Sequence, residues 1–281
     1  MQESRNPKET ETTTGTAWIF DIDGVITDPT EKQVKEPEIL NSIYEKLKKN
    51  EPVAFNTGRS ISWLNDRVIN PLLEIVEDKE LLDKFVIVAE KGGVWMTFDK
   101  KGSATVHKDE LSAIPQSLRS EIQNTVEQNF IESMFFDSSK EIISTIEMNN
   151  GYELNRFKKD QKILVEELKS LIKTLSLQDS LNIDATTIAT DVESKHLGKG
   201  FSVERILELF AKKSINPNQF IAFGDSPSDI EMAEKLHEKN LTFTFIFVDD
   251  RGRLEGLKKP YPIIYTSEKF DKGTMEYLNR S

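Results

Sequence analysis

The amino-acid sequence predicts an α/β fold: a doubly wound, Rossmann-like parallel-sheet core interrupted by an inserted α+β domain. Three observations carry this. Short apolar runs alternate with helical patterns at both ends of the chain, as parallel βαβ units require. Four of these runs are followed by acids, hydroxyls or glycines, residues suited to a ligand site at a sheet edge. Between residues 93 and 193 the alternation gives way to hairpins mixed with helices, which suits a separate α+β unit.

Taken in order, residues 1–15 are polar, have no hydrophobic signal core, and are expected to form a disordered tail. Residues 17–20 are an apolar run that reads as a buried strand. A helical pattern over 38–49 leads to a strand at 52–55. Another helix, 61–76, leads to a strand at 85–89. In the insertion, 94–98 and 104–107 read as a hairpin about the turn at 100–102. A helix over 110–128, a strand at 142–148, a turn at 149–151, a helix over 158–175 and a strand at 186–192 follow. Alternation then resumes: helix 199–212, strand 220–223, helix 227–238, and strands 243–248 and 262–265. The core is expected to comprise 16–92 and 194–281, with 93–193 inserted.

Composition narrows the function. A chain of 281 residues with 37% hydrophobic and 30% charged residues suits a soluble globular protein of one large or two modest domains. Its net charge of −11 opposes general binding to nucleic acid or anionic membranes. It does not exclude a small anionic substrate, because a local site can be positive. The absence of cysteine excludes disulfides, thiolate nucleophiles and cysteine–zinc sites. No stretch has the length of a transmembrane helix, so a cytoplasmic location is the default expectation.

The strand ends hold the candidate chemistry. Aspartates are poor strand residues, so Asp21 and Asp23 are expected just beyond the first strand. Two acids there can hold a hard cation such as Mg²⁺, and one can attack an electrophile. An Asp-Gly turn explains the same residues. After residue 55 come Asn56, Thr57, Gly58 and Arg59; after 89 come Glu90, Lys91, Gly92 and Gly93; after 223 come Gly224, Asp225 and Ser226. Thr57 is a candidate helix cap, a role Ser60 could also take. Arg59 is a surface residue, a structural ion-pair partner or a substrate contact. Asp225 and Asp229 stand four residues apart near Pro227, on one face of a helix starting there. An N-cap with a first-turn acid is the plain alternative.

Together these segments resemble the haloacid dehalogenase-like superfamily. Asp21-Ile22-Asp23-Gly24 resembles its first motif and Asn56-Thr57-Gly58-Arg59 its second. Lys199-Gly200 resembles the third, and Gly224-Asp225-Ser226-Pro227-Ser228-Asp229 the fourth. The resemblance implies Asp21 as nucleophile and Asp23 as acid/base. It implies Thr57, Gly58 and Lys199 around the phosphate. Mg²⁺ would be held by Asp21, Asp23 through its backbone carbonyl, Asp225 and Asp229.

The insertion lies between the second and third motifs and resembles a C2-type cap, in the branch of Cof-type, trehalose-phosphate and sucrose-phosphate phosphatases. Glu90-Lys91-Gly92-Gly93 resembles the start of such caps. The expectation is a Mg²⁺-dependent phosphatase acting on a small phosphate monoester, a sugar phosphate, through an aspartyl-phosphate. The alternatives are a sugar phosphomutase and a non-catalytic sugar-phosphate-binding protein. Lys91, Glu147, Arg156 and Lys195 are candidate substrate contacts. His107 and His237 read as structural or exposed, and His196 with Lys195 as facing the cap or the substrate.

Overall fold

In the computed structural model, which describes residues 13–280, the chain enters its core on β1 (Thr13–Phe20) and passes through α1 (Glu38–Lys48) to β2 (Val53–Asn56). Next come α2 (Ile61–Leu64), a π-helical turn (Asn65–Ile69) and α3 (Asn70–Ile75), then β3 (Phe85–Ala89). The single helix expected over 61–76 is thus widened in the middle. Pro71 opens α3, lacks an N–H and crowds the preceding turn, which a π turn accommodates. After β3 come β4 (Val94–Phe98) and β5 (Ala104–Lys108). The second unit follows: α4 (Gln116–Asn129), β6 (Met134–Asp137), β7 (Ser144–Met148), α5 (Leu154–Thr174), β8 (Leu181–Ala185) and β9 (Ala189–Ser194). The chain returns through α6 (Lys199–Lys212), β10 (Asn216–Gly224), α7 (Ile230–Glu238), β11 (Phe243–Phe247), β12 (Ile263–Tyr265) and α8 (Phe270–Leu278).

The core sheet has eight strands in the order β12-β11-β10-β1-β2-β3-β4-β5. The six strands from β12 to β3 are parallel, and β4 and β5 extend them as an antiparallel hairpin. Helices cover both faces, which is why the central strands read as continuous apolar runs. Alternation still sorts the side chains. Trp18, Phe20, Phe55 and Phe85 pack on one face, and Ile19, Ala54, Val86 and Ala222 on the other. Phe20 stacks on Phe223 of the neighbouring strand at 4.8 Å between ring centroids. Each such fully buried side chain contributes about 1.5–3 kcal/mol.

The cap sheet, in the order β6-β7-β9-β8, is antiparallel throughout. Ile146 and Val192 point to one face, where they pack with Leu118 and Ile122 of α4 and Phe157, Leu164 and Leu168 of α5. Their strand neighbours Thr145, Glu147, Asp191 and Glu193 therefore take the opposite face.

Four further expectations change. Residues 13–15 belong to β1, with Thr13 and Thr14 paired to Asn216 and Pro217; the rest of the expected tail, 1–12, lies outside the described residues. The hairpin at 94–108 belongs by hydrogen bonding to the core sheet, although it was expected in the insertion. α4 begins at Gln116 and not at 110, because the residue before Pro115 is kept out of helical geometry. β6 and β8 are short cap strands that the pattern did not resolve.

Two linkers join the units. Glu90, Lys91 and Gly92 are all left-handed (φ 47°, 55° and 104°), which turns the chain out of β3. The buried Glu90 carboxylate accepts from the backbone N–H groups of Glu141, Ile142 and Ile143, fastening the first linker to the cap. Gly198 N–H donates to Lys91 C=O at 2.9 Å, fastening the linkers to each other.

Candidate active site

The carboxyl ends of β1, β2 and β10 and the start of α6 meet at one point. Lys199, the first residue of α6, places its buried Nζ 2.5 Å from Asp21 Oδ1, 2.8 Å from Asp229 Oδ1 and 2.8 Å from Asn56 C=O. Asn56 Nδ2 donates back to Lys199 C=O at 3.0 Å, so β2 and α6 are bonded in both directions. Asp225 and Asp229 close the other side. Asp229 Oδ2 accepts from the N–H groups of Asp225 and Ser226 and from Ser226 Oγ, which shapes the loop after β10. Gly24 permits the close approach of this loop. Its φ is +72°, and a Cβ there would collide with the Asp225 carboxylate.

Carboxylate oxygens of Asp21, Asp225 and Asp229 lie within 4.8 Å of one another. The electrostatics reflect this crowding. Burial first, and then Asp229, hold Asp21 well above the usual carboxylate range despite Lys199. Burial and Asp229 push Asp225 up to about 7. Burial works against the Lys199 charge, but Asp21 and Asp229 outweigh it and raise its affinity for the proton. One lysine thus faces three acids, an all-oxygen donor set of the kind hard divalent cations take.

Asp23 points elsewhere. Arg59 Nε and Nη2 donate to its two oxygens at 2.9 and 3.0 Å, and Arg59 Nη1 donates to Glu147 of β7 at 3.1 Å. Burial opposes ionisation of Asp23, but Arg59 outweighs it and lowers the carboxyl below its ordinary value. Of the three readings of Arg59, the ion pair is the one observed. Thr57 is buried, and its Oγ1 accepts from Arg59 N–H at 3.1 Å. Ser60 supplies the helix cap, accepting from Trp63 N–H. Gly58 lies beside the Lys91 stem.

The cap-side candidates divide. Glu147 faces the site through Arg59. Lys91 is saturated: its Nζ lies 3.0 Å from Asp184, 3.0 Å from Asp191 and 2.6 Å from Glu193, so it ties linker to cap and offers no free charge to a substrate. Arg156 is exposed in the first turn of α5, with its N–H capped by Glu153. Lys195 is exposed and donates to Gln178 C=O. His196 bonds Ser112 and Ser194, and exposed His107 stacks on Trp95. His237 lies against Tyr261.

Between core and cap is a cleft of about 140 Å³, walled by Asp23, Gly58 and Arg59 below and by Lys140, Thr145, Glu147, Ile188, Ala189 and Asp191 above. Lys140, Thr145 and Asp191 were not foreseen. The readable sign was polar residues alternating with apolar ones in Thr145-Ile146-Glu147 and Asp191-Val192-Glu193. A larger hollow of about 690 Å³ between α4 and α5 has no site residue in its walls.

This fold matches known proteins. The family model for haloacid dehalogenase-like hydrolases covers residues 69–238, and the chain belongs to that family and is a hydrolase. Among solved structures it resembles the C-terminal domain of C. albicans trehalose-6-phosphate phosphatase (TM-score 0.64, 15% identity, 95% of this chain and 92% of that one). It also resembles a haloacid dehalogenase-like hydrolase from Bacteroides thetaiotaomicron (TM-score 0.61, 11% identity, 95% and 99%). A third is Thermoplasma acidophilum 0175 (TM-score 0.59, 14% identity, 95% and 98%). At these identities the likeness is one of fold. No curated protein matches by sequence.

Proposed function

We propose that this hydrolase is a Mg²⁺-dependent phosphatase that cleaves a small phosphate monoester, a sugar phosphate, through an aspartyl-phosphate on Asp21. The observation that carries this reading is the convergence of Asp21, Asp225 and Asp229 within 4.8 Å around a single lysine. The phosphatases among the fold relatives support it.

The donor set fits a hard cation. It is all oxygen, it carries more negative charge than Lys199 neutralises, and burial, with the neighbouring Asp229 adding to it, raises Asp21 and Asp225 above the usual carboxylate range. Asp21, Asp225 and Asp229 would hold the ion with the Asp23 carbonyl. When bound, it supplies charge neutralisation between carboxylate and phosphate.

The chain's own residues do the rest. Asp21 is the nucleophile: an oxygen attacks phosphorus as the bond to the leaving oxygen breaks, and a protonated Asp23 gives its proton to that oxygen. Asp23 then takes a proton from water as the water oxygen attacks phosphorus, which releases Asp21 and inorganic phosphate. Lys199 offsets the charge on Asp21 and the phosphoryl group. Thr57 and the backbone at Gly58 bind phosphoryl oxygens. Arg59 must let go of Asp23 for the first step, so substrate binding breaks that ion pair.

The test is phosphate release from a panel of phosphate monoesters, with Mg²⁺ and with chelator. Mg²⁺-dependent release is expected. Release that persists in chelator, or isomerised sugar phosphate formed without free phosphate, overturns this reading.

A further inference from the structure

We infer that Lys32 and Arg67 form a second oxyanion subsite beside Asp23, so that the leaving group of the preferred ester carries a further carboxylate or phosphate. This rests on the phosphatase reading and narrows it to doubly anionic substrates, with Lys32 as a specificity-determining residue.

Lys32 stands in the loop between β1 and α1. Asp28 closes that loop: its N–H donates to Gln33 C=O and its C=O accepts from Lys32 N–H, each at 2.9 Å. The Asp28 carboxylate is spent on the N–H groups of Thr30 and Glu31, at 2.8 and 2.7 Å. Lys32 itself is left-handed, at φ 54°, a conformation that a residue with a side chain keeps only where its surroundings hold it. The loop thus uses its own acid on its backbone and leaves Lys32 half-buried, within the electrostatic reach of Asp23, Arg59, Arg67 and Glu147.

Those acids already have partners. Arg59 donates to both oxygens of Asp23 and to Glu147. Asp137, the next acid to act on Arg59, accepts from Ser139 N–H at 2.9 Å. Among the described residues the Lys32 ammonium forms no ion pair. Burial first, and then Arg59, disfavour its charge, and Glu147 and Asp23 offset this only in part.

Arg67 repeats the pattern. Its guanidinium lies 4.7 Å from the centre of the Trp63 ring, which also carries Arg59 at 4.8 Å. Arg67 is half-buried, and among the described residues it forms no ion pair either. Two half-buried cations without counterions, grouped with a third, suit an oxyanion that accepts charge-assisted hydrogen bonds from them.

Their place decides which part of the substrate is read. Lys199 is committed to Asp21 and Asp229, on the side of the transferred phosphoryl group. Asp23 serves the leaving oxygen, so a group lodged beside Asp23, Arg59 and Lys32 belongs to the leaving group. An oxyanion there also offers Arg59 a partner that fits its fork, in place of the Asp23 carboxylate that it must release.

The experiment measures kcat/KM of the full chain with Mg²⁺ on two matched pairs. Glycerol 3-phosphate against 3-phosphoglycerate tests an added carboxylate; glucose 6-phosphate against glucose 1,6-bisphosphate tests an added phosphate. In at least one pair the more anionic ester is expected to lead by about tenfold or more, the size of one charge-assisted contact, and the leading pair identifies the oxyanion. Lys32→Gln should cut that ratio by about tenfold, mainly through KM, and Lys32→Arg should restore part of it. The ratio is the readout because a variant that merely loosens the fold lowers both members of a pair alike. If Lys32→Gln does not fold, Arg67→Gln decides in the same way. A lead for the less anionic ester in both pairs, or a ratio unchanged by the substitution, overturns the inference and leaves the phosphatase reading standing. No release from any phosphate monoester overturns both.

Discussion

Arg59 grips Asp23 with two parallel hydrogen bonds, Nε to Oδ2 at 2.9 Å and Nη2 to Oδ1 at 3.0 Å. Its third hand, Nη1, is on Glu147 in the cap, and its guanidinium lies over Trp63 at 4.8 Å. Such a fork fits a carboxylate far better than a point charge does. One arginine thus joins the core acid to the cap sheet across the cleft.

If this bridge is shared, Arg59 and Glu147 are energetically coupled. In a double-mutant cycle of Arg59→Ala and Glu147→Ala, chemical denaturation should give a coupling of about 0.5–3 kcal/mol. Arg59→Lys should recover only part of the loss, because an ammonium cannot serve both oxygens of Asp23 and Glu147 together. Additive single effects would show that the two units close independently of this contact.

Lys199 is buried against Asp21 and Asp229, and removing it strands their charges. Lys199→Met should lower stability by about 3–5 kcal/mol, the range for breaking one side of a buried pair. Phosphate release should fall by roughly 10³-fold or more, as for other groups that act as a unit. Added Mg²⁺ should recover part of the stability and little of the activity. Denaturation curves with and without Mg²⁺, beside an assay at saturating substrate, separate the two effects.

The acidic trio predicts a metal response that needs no turnover. At about 100 times its Kd, Mg²⁺ should stabilise the protein by about 2.7 kcal/mol. Asp225→Asn should weaken that response. It should also raise the melting temperature in chelator, because it removes one of three crowded carboxylates. A melting temperature indifferent to Mg²⁺ in the unaltered chain would place the cation elsewhere.

The core was legible because its strands have helices on both faces and read as unbroken apolar runs, as at Phe85–Ala89. The convergence of Asp21, Asn56, Asp225 and Asp229 was legible because β1, β2 and β10 each end in a short polar motif. The cap was harder. β6 is only four residues long, and β8 is broken by Asn182 and Asp184, so neither gives the unbroken apolar run of a core strand. Asp191 and Lys140 gave no local sign that they share a cleft with Asp23, since their meeting depends on the pairing of β7 with β9 and on how the linkers seat the cap. The pairing of Lys91 was hidden for a related reason: its three carboxylates reach it only once β8 and β9 fold over the linker.

That lysine cage makes stability depend on pH with a sign that can be worked out. Burial first, with Asp191 adding and Lys91 opposing, pushes Glu193 up from 4.5 to about 7. A raised carboxyl favours the folded state below its unfolded pKa, and the advantage is lost as pH rises from about 4.5 through about 7, roughly 3 kcal/mol in all. Asp191 runs the other way. Burial opposes its charge, but Lys140 and Lys91 hold it down at about 2, so its contribution is present above about 4 and lost only in strong acid. Asp225 titrates in the same window as Glu193 but keeps its contribution in both proteins compared. Melting temperatures from pH 4.5 to 8 should therefore fall less steeply in Glu193→Gln than in the unaltered chain, and the curves should converge near pH 4.5. Parallel curves would mean that Lys91 neutralises Glu193 fully and that the cage carries no net cost at neutral pH.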